Sequence, residues 1–179
     1  MRLFTERGYE STTMTQIAAA ADVSPMTVYR HFPTKEDLVL VDTYDELIAE
    51  RIAALPADLP PARRIGQAIL DSVGIIIGTG ESRSDKNMLL TRLRLMIDTP
   101  ALRARHLDSH YALQNAIVTA IRGETPSDPA TEFRLRVTAG VCLVAMNTAL
   151  VSWTAEGGRG DLIELITTAL GVAFGNEFG

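Results

Sequence analysis

Cysteine is nearly absent from this sequence. Cys142 stands alone among 179 residues, so no internal disulfide framework can form, and a reducing cytoplasm is the expected location. Net charge of the positive sign is missing too: the balance is −5, which removes any global positive field that would gather nucleic acid. A local patch can still hold phosphate. Strand signals are lacking, with no Asn-Gly or Asp-Gly hairpin turn and no sustained alternation of apolar and polar residues. The opening "MRLFTERGYE" has no apolar segment of the secretory kind. The longest apolar stretch, Ala139 to Trp153, contains Asn147, Thr148 and Ser152 and is shorter than the ~20 residues a spanning helix needs. It is expected to be a helix buried in a core or a dimer interface, with no membrane as partner.

Helix punctuation, in contrast, recurs along the chain. Thr13 precedes Gln16 by three residues, Thr34 precedes Asp37, and Asp161 precedes Glu164, each in the pattern of a capping box. Ser24-Pro25, Thr99-Pro100 and Asp128-Pro129 each place a capping side chain before a proline suited to the first helical position. The expected fold is all-α, with about nine helices: Arg2–Arg7, Met14–Ala21, Pro25–Phe32, Lys35–Leu55, Ala62–Ile77, Lys86–Asp98, Pro100–Arg122, Pro129–Glu156 and Leu162–Phe174. By composition 78–85 and 123–128 are loops. Three short helices before longer, more apolar ones suggest a small N-terminal module on a helical body. The expected division is 1–45 and 46–179.

In the module, Ile17, Ala18 and Ala21 give a narrow apolar face that lets a second helix approach closely. Asp22-Val23 turns the chain, and Ser24 caps the next helix. On that helix Val28 and Phe32 share the core face. At 100° per residue Met26, Thr27 and Arg30 fall on the opposite side, with Tyr29 on the flank. Two helices joined by so short a turn form the helix-turn-helix plan. The exposed residue types suit a DNA major groove. Arg30 can donate two hydrogen bonds to a guanine, Thr27 can meet a thymine methyl, and Met26 adds apolar contact near the helix start. Tyr29, His31, Lys35 and Thr13 suit phosphate oxygens. From Met1 to Lys35 the basic residues outnumber the acidic ones by four to three. Spacing alone leaves open a plain helical pair with a solvated face.

The stretch Phe4 to Leu40 closely resembles the DNA-binding domain of the TetR/AcrR family of transcriptional regulators. Its marks are Phe4, Gly8-Tyr9, Thr12-Thr13, Ile17-Ala18, Val23-Ser24, Tyr29, His31-Phe32 and Lys35-Glu36-Asp37-Leu38. The resemblance implies that the helix from Pro25 is the recognition helix, with Pro25, Met26, Thr27 and Arg30 where base readers vary, and Tyr29, His31 and Lys35 on phosphate. It also implies a first helix beginning more than two turns earlier. Only Met1–Arg7 of it is present here, so the first helix is expected to be truncated, through an internal Met1 or missing upstream residues.

No catalytic constellation is found in the body, and the chain is expected not to be an enzyme and to need no cofactor. In "HLDSH", His106 and His110 lie one turn apart on one helical face, but no third or fourth ligand offers itself, so no metal is expected. Arg92, Arg94, Arg103 and Arg105 are either solvated faces flanking Pro100 or a guanidinium cluster for an anion. The stretch from Leu89 to Phe174 is diffusely similar to TetR regulators of the acyl-CoA-binding type, which implies an amphipathic or acyl-CoA-like small-molecule effector. Candidate ligand contacts mix bulk with polarity: Met96, Tyr111, Asn115, Met146, Asn147 and Trp153. The last two helices are apolar on more than one side, which a two-fold partner would cover. The expected protein is a ligand-responsive repressor, a homodimer binding a pseudo-palindromic double-stranded DNA operator. In it a larger helical ligand-binding and dimerisation domain carries the DNA-binding module. The alternative is a small-molecule-binding helical protein with an impaired DNA-binding module.

Overall fold

The computed structural model describes residues 1–40, 43–78, 83–123, 128–175 and 178. It is all-helical. The described residues form nine α-helices: α1 (Arg2–Arg7), α2 (Met14–Ala20), α3 (Pro25–His31), α4 (Thr43–Ala54), α5 (Pro61–Gly78), α6 (Arg83–Asp98), α7 (Pro100–Arg122), α8 (Pro129–Ala155) and α9 (Leu162–Phe174), with a 3-10 turn at Glu36–Leu38. Most of the two expected loops, 79–82 and 124–127, lies outside the described residues.

Local chemistry sets most of the helix starts. Thr13 and Gln16 cap α2 reciprocally, Ser24 Oγ accepts from Thr27 N–H at α3, and Asp128 accepts from Ala130 and Thr131 N–H at α8. Thr99 departs from expectation: it precedes Pro100 but its side chain makes no cap hydrogen bond. Thr99 is instead buried at the α6–α7 corner.

The helix expected from Lys35 to Leu55 is a further correction. Glu36–Leu38 is a 3-10 turn, and α4 begins at Thr43, with 41–42 outside the described residues. The reason is tertiary. Arg92 Nε on α6 donates to the Val39 carbonyl, the acceptor a continuing α-helix would offer to residue 43. Val39 is fully buried.

The main core gathers Ile48 and Ile52 of α4, Ile65 and Ile69 of α5, Leu113 and Ile117 of α7, Cys142, Met146 and Trp153 of α8, and Ile166 and Leu170 of α9. Burying one such Ile or Leu contributes roughly 1.5–3 kcal/mol. Cys142 is a packed core residue, its sulfur 4.0 Å from the Ala62 carbonyl. The buried Arg64 donates through Nε to the Ile52 carbonyl at 3.0 Å, satisfying an acceptor in the last turn of α4. Two smaller clusters hold the N-terminal helices: Met14, Ala18 and Val28 in one, and Phe4, Tyr9, Val39 and Leu102 in the other. Leu102 belongs to α7, so the body supplies part of the N-terminal core.

Helix α8 spans 27 residues, and by length and composition it is apolar enough to cross a membrane. The helix matches the expected Pro129–Glu156 to within one residue, and its apolar character extends beyond the fifteen-residue stretch Ala139 to Trp153. One face, with Leu135, Ala139, Cys142, Leu143 and Met146, is buried in the core. The other leaves Phe133, Val137, Val141, Val144 and Val151 exposed.

Candidate functional site

Two places in the molecule concentrate chemistry, the outer side of α3 and a cavity beneath the N-terminal helices. The first depends on how α2 hands over to α3. Asp22 takes a left-handed backbone (φ 54°), which a short polar side chain tolerates. Val23 N–H then reaches the Ala18 carbonyl at 3.1 Å and Asp22 N–H the Ala19 carbonyl at 3.3 Å. That pair of bonds is a Schellman ending, closing α2 tightly enough for α3 to start at Pro25.

On α3 only Val28 is buried. Met26 is 78% exposed and Tyr29 49%; Pro25, Arg30 and His31 are also exposed, and Thr27 is half-buried with its hydroxyl 2.9 Å from Ser24 Oγ. Met26, Tyr29 and Arg30 therefore form an outward surface backed by one packed valine. Phe32 corrects the sequence reading. It was expected to share the core face with Val28, but it is the C-cap (φ −135°, ψ 89°) and its side chain is exposed. Leaving helical geometry turns it off the Val28 face. Ala21 is likewise exposed, because α2 ends at Ala20.

Thr13 is exposed at the start of α2, its hydroxyl accepting from Gln16 N–H at 3.2 Å. Lys35 is less open than the sequence suggested. Its ammonium donates to the Tyr9 carbonyl at 2.8 Å and stands 4.2 Å from the Tyr9 ring centroid. The Tyr9 hydroxyl in turn donates to Glu36 Oε1 at 2.9 Å. Burial and the neighbouring Glu36 carboxylate push the Tyr9 phenol up from its ordinary pKa, so it remains a donor.

The cavity has a volume of about 140 Å³. Val39 and Leu40 close it toward the N-terminal module; Ile48 of α4, Val73 of α5, and Leu93 and Met96 of α6 form apolar walls. Ser72 of α5, Arg92 of α6, and His106, Ser109 and His110 of α7 supply its polarity, with Met146 and Leu150 of α8 also on the wall. The two imidazoles meet edge to face, centroids 4.3 Å apart. His106 Nε2 lies 3.4 Å from Asn147 Oδ1. His110 Nε2 is buried and is the buried side-chain polar atom left without a hydrogen-bond partner among the described residues. Burial lowers the pKa of both; for His110, burial and the adjacent His106 push it down to about 4, so it is neutral near pH 7. Among the described residues no three His, Cys, Asp or Glu side chains come together to hold a metal ion.

The sequence-named ligand contacts divide. Met96 and Met146 line this cavity, and Asn147 touches it through His106. Tyr111, Asn115 and Trp153 do not line it. Tyr111 is 71% exposed, and Asn115 is exposed and accepts from Arg136 at 2.8 Å across α7 and α8. Trp153 is 1% exposed, packed in the core with its indole N–H directed to the Gly160 carbonyl at 3.4 Å. His106 and His110 are the residues that the sequence reading set aside. Their signal was the spacing Leu102, His106, His110, Leu113, Ile117, steps of four and three that place both rings on the inward face. Three of the four arginines named from the sequence have partners within the protein. Arg92 takes the Val39 carbonyl, Arg103 the Ile97 carbonyl at 2.8 Å, and Arg105 lies 4.0 Å from Asp37.

Comparison with known proteins fits both regions. Residues 1–41 match the family described as bacterial regulatory proteins, tetR family, and residues 74–173 match the MftR C-terminal domain. The HTH-type transcriptional regulator TcmR of Streptomyces glaucescens is 29% identical over 143 residues, covering 79% of this chain and 63% of that protein. The HTH-type transcriptional regulator HbdR of Aromatoleum sp. (strain CIB) is 28% identical over 159 residues, covering 85% of this chain and 60% of that protein. This chain thus spans about three fifths of the length of these curated relatives. A crystal structure of the TetR family transcriptional regulator PfmR from Thermus thermophilus aligns over 96% of this chain and 92% of that one, with 19% identity and a TM-score of 0.44. The N-terminal helix-turn-helix match and the match over more than half the chain agree: this chain belongs to the TetR family of bacterial regulatory proteins.

Proposed function

We infer that this protein is a ligand-responsive DNA-binding transcriptional repressor that acts as a homodimer in the cytoplasm. The observation that carries the reading is the outward surface of α3, held on a helix-turn-helix that matches the tetR family. Residues 1–45 are the DNA-binding module and 46–179 the effector-binding and dimerisation body. Within the module Arg30, Met26 and Thr27 meet base edges beside Pro25. Tyr29, His31, Thr13 and Lys35 meet phosphate, Lys35 with the donors that its bond to the Tyr9 carbonyl leaves over.

The exposed stripe on α8, Phe133, Val137, Val141, Val144 and Val151, with Val172 on α9, is the surface a two-fold mate would cover. Two recognition helices related in this way would address a pseudo-palindromic operator, half-sites about one DNA turn apart.

The effector is a small amphipathic molecule, acyl-type or otherwise, whose apolar part enters the cavity. Val39 and Leu40 line that cavity, and Val39 also sits in the core beneath Phe4 and Tyr9. Helix α7 links the same two places, with Leu102 in the N-terminal core and His106 and His110 on the cavity wall. A ligand that fits only one arrangement of these contacts shifts the DNA-binding equilibrium by its difference in affinity between the two states. The test is selection of bound fragments from total genomic DNA followed by gel shift on the enriched sequence. Specific binding released by a small molecule supports the reading; binding equal to random DNA contradicts it.

A further inference from the structure

The cavity narrows the effector's chemistry, an inference that rests on the reading of it as the effector site. At about 140 Å³ the space is close to the ~150 Å³ at which an apolar protein cavity accommodates one benzene ring. Its walls are overwhelmingly apolar. Of its hydroxyls, Ser72 donates to the Ala68 carbonyl at 2.7 Å and Ser109 to the Arg105 carbonyl at 3.1 Å, so both protons are engaged on their own helices. His106 is paired with Asn147. His110 Nε2 alone is buried and unsatisfied among the described residues, and an unsatisfied buried polar atom costs stability that a ligand can restore. We propose that the cavity takes a single-ring, phenol-class molecule whose uncharged hydroxyl hydrogen-bonds to His110 Nε2 while its ring packs among Val73, Leu93, Met96 and Met146.

A hydroxyl suits that nitrogen for a definite reason. A neutral imidazole carries its proton on one ring nitrogen or the other, so Nε2 is either a donor or an acceptor. A hydroxyl satisfies both cases, whereas a carbonyl or carboxylate satisfies only the first. A carboxylate would also bring a full charge into an apolar space, where the cation on the wall, Arg92, already has the Val39 carbonyl as a partner. A long acyl chain would not fit whole in about 140 Å³ and would have to extend out of the cavity. Both alternatives are outcomes of the test.

The experiment is calorimetric titration of the full chain with four probes: p-cresol, toluene, benzoate and decanoate. p-Cresol and toluene share their ring and methyl group and differ in the hydroxyl. p-Cresol is expected to bind about tenfold more tightly than toluene, and the difference is expected to vanish in His110→Phe, which keeps a ring and loses both nitrogens. In case His110→Phe folds poorly, ring-15N NMR of the wild-type protein gives an independent reading: the His110 Nε2 resonance shifts with p-cresol and stays with toluene. Equal affinity for p-cresol and toluene, or preference for benzoate or decanoate, overturns the phenol-class assignment. So does discrimination that survives His110→Phe, or an unmoved Nε2 resonance. None of these readouts involves DNA, so the assignment can fail while the regulatory reading stands. If p-cresol binds as expected and DNA affinity is unchanged with it, the assignment stands and the regulatory coupling falls.

Discussion

The Lys35 ammonium lies 2.8 Å from the Tyr9 carbonyl and 4.2 Å from the centroid of the same residue's ring. A residue that resembles a phosphate contact is thus also a clasp between the start and the end of the N-terminal module. With the Tyr9 hydroxyl on Glu36, it closes the three-helix unit from outside while Phe4, Val39 and Leu102 fill it from inside. Lys35→Ala should therefore have two effects. It should weaken binding to all DNA sequences alike and flatten the salt dependence by about one phosphate contact, and it should lower the melting temperature without DNA. Salt titration of DNA binding together with a thermal melt separates the two. A flattened salt slope with an unchanged melt would mean the clasp contributes nothing.

Arg30 makes the contrasting case. It is exposed on α3, and among the described residues no hydrogen bond or ion pair holds its side chain. If it reads a guanine, Arg30→Ala should cost about 1–3 kcal/mol on the selected site and relax preference at one base-pair position. Competition binding against single-substitution sites measures this. Uniform loss across all sites would place Arg30 on the backbone instead.

The helix caps were legible in the sequence because they are local: Thr13, Ser24, Asp128 and Asp161 each find partners within three residues. The surface of α3 was legible for the same reason, since one buried valine fixes the rotation of a seven-residue helix. What escaped was set by partners far along the chain. Arg92 interrupts the expected Lys35–Leu55 helix from 53 residues away, and Lys35 is drawn to a carbonyl 26 residues earlier. The cavity was half legible. Polarity beside bulk selected Tyr111 and Asn115, which point outward, and passed over His106 and His110, which the spacing of Leu102, Leu113 and Ile117 carries inward.

The histidine pair makes stability depend on pH in a definite direction. The folded-state pKa of His110 is pushed down to about 4 and that of His106 is lowered, against 6.5 for an exposed imidazole. Between those limits the unfolded chain binds the proton and the folded chain does not, so stability falls as pH drops from about 6.5 toward 4. Thermal melts from pH 7.5 to 4.5 should show this loss, and His110→Gln should show a shallower one. Parallel curves for the two proteins would contradict it.

Arg64 is buried and holds the Ile52 carbonyl at 3.0 Å. Arg64→Ala leaves that acceptor with only the longer bond from Leu55 N–H at 3.4 Å and opens space beneath it. The expected loss is about 1–3 kcal/mol by urea denaturation, with little change in the slope against denaturant. A loss under half a kcal/mol would mean water replaces the guanidinium freely.

The exposed apolar stripe on α8 is open to a similar test. Val144→Glu places a charge among Val137, Val141 and Val151 and is expected to shift a dimer toward monomer in sedimentation velocity. Dimers that persist unchanged would place the interface elsewhere.

In the proposed function α3 reads DNA sequence for a protein whose body senses a small molecule. The most direct measurement of that function is a footprint on the DNA selected from the genome, taken with and without the releasing ligand. Two protected half-sites about one helical turn apart are expected, lost when the ligand is added and requiring more protein to appear with Arg30→Ala. Protection spread evenly along the fragment and indifferent to both ligand and substitution would contradict it.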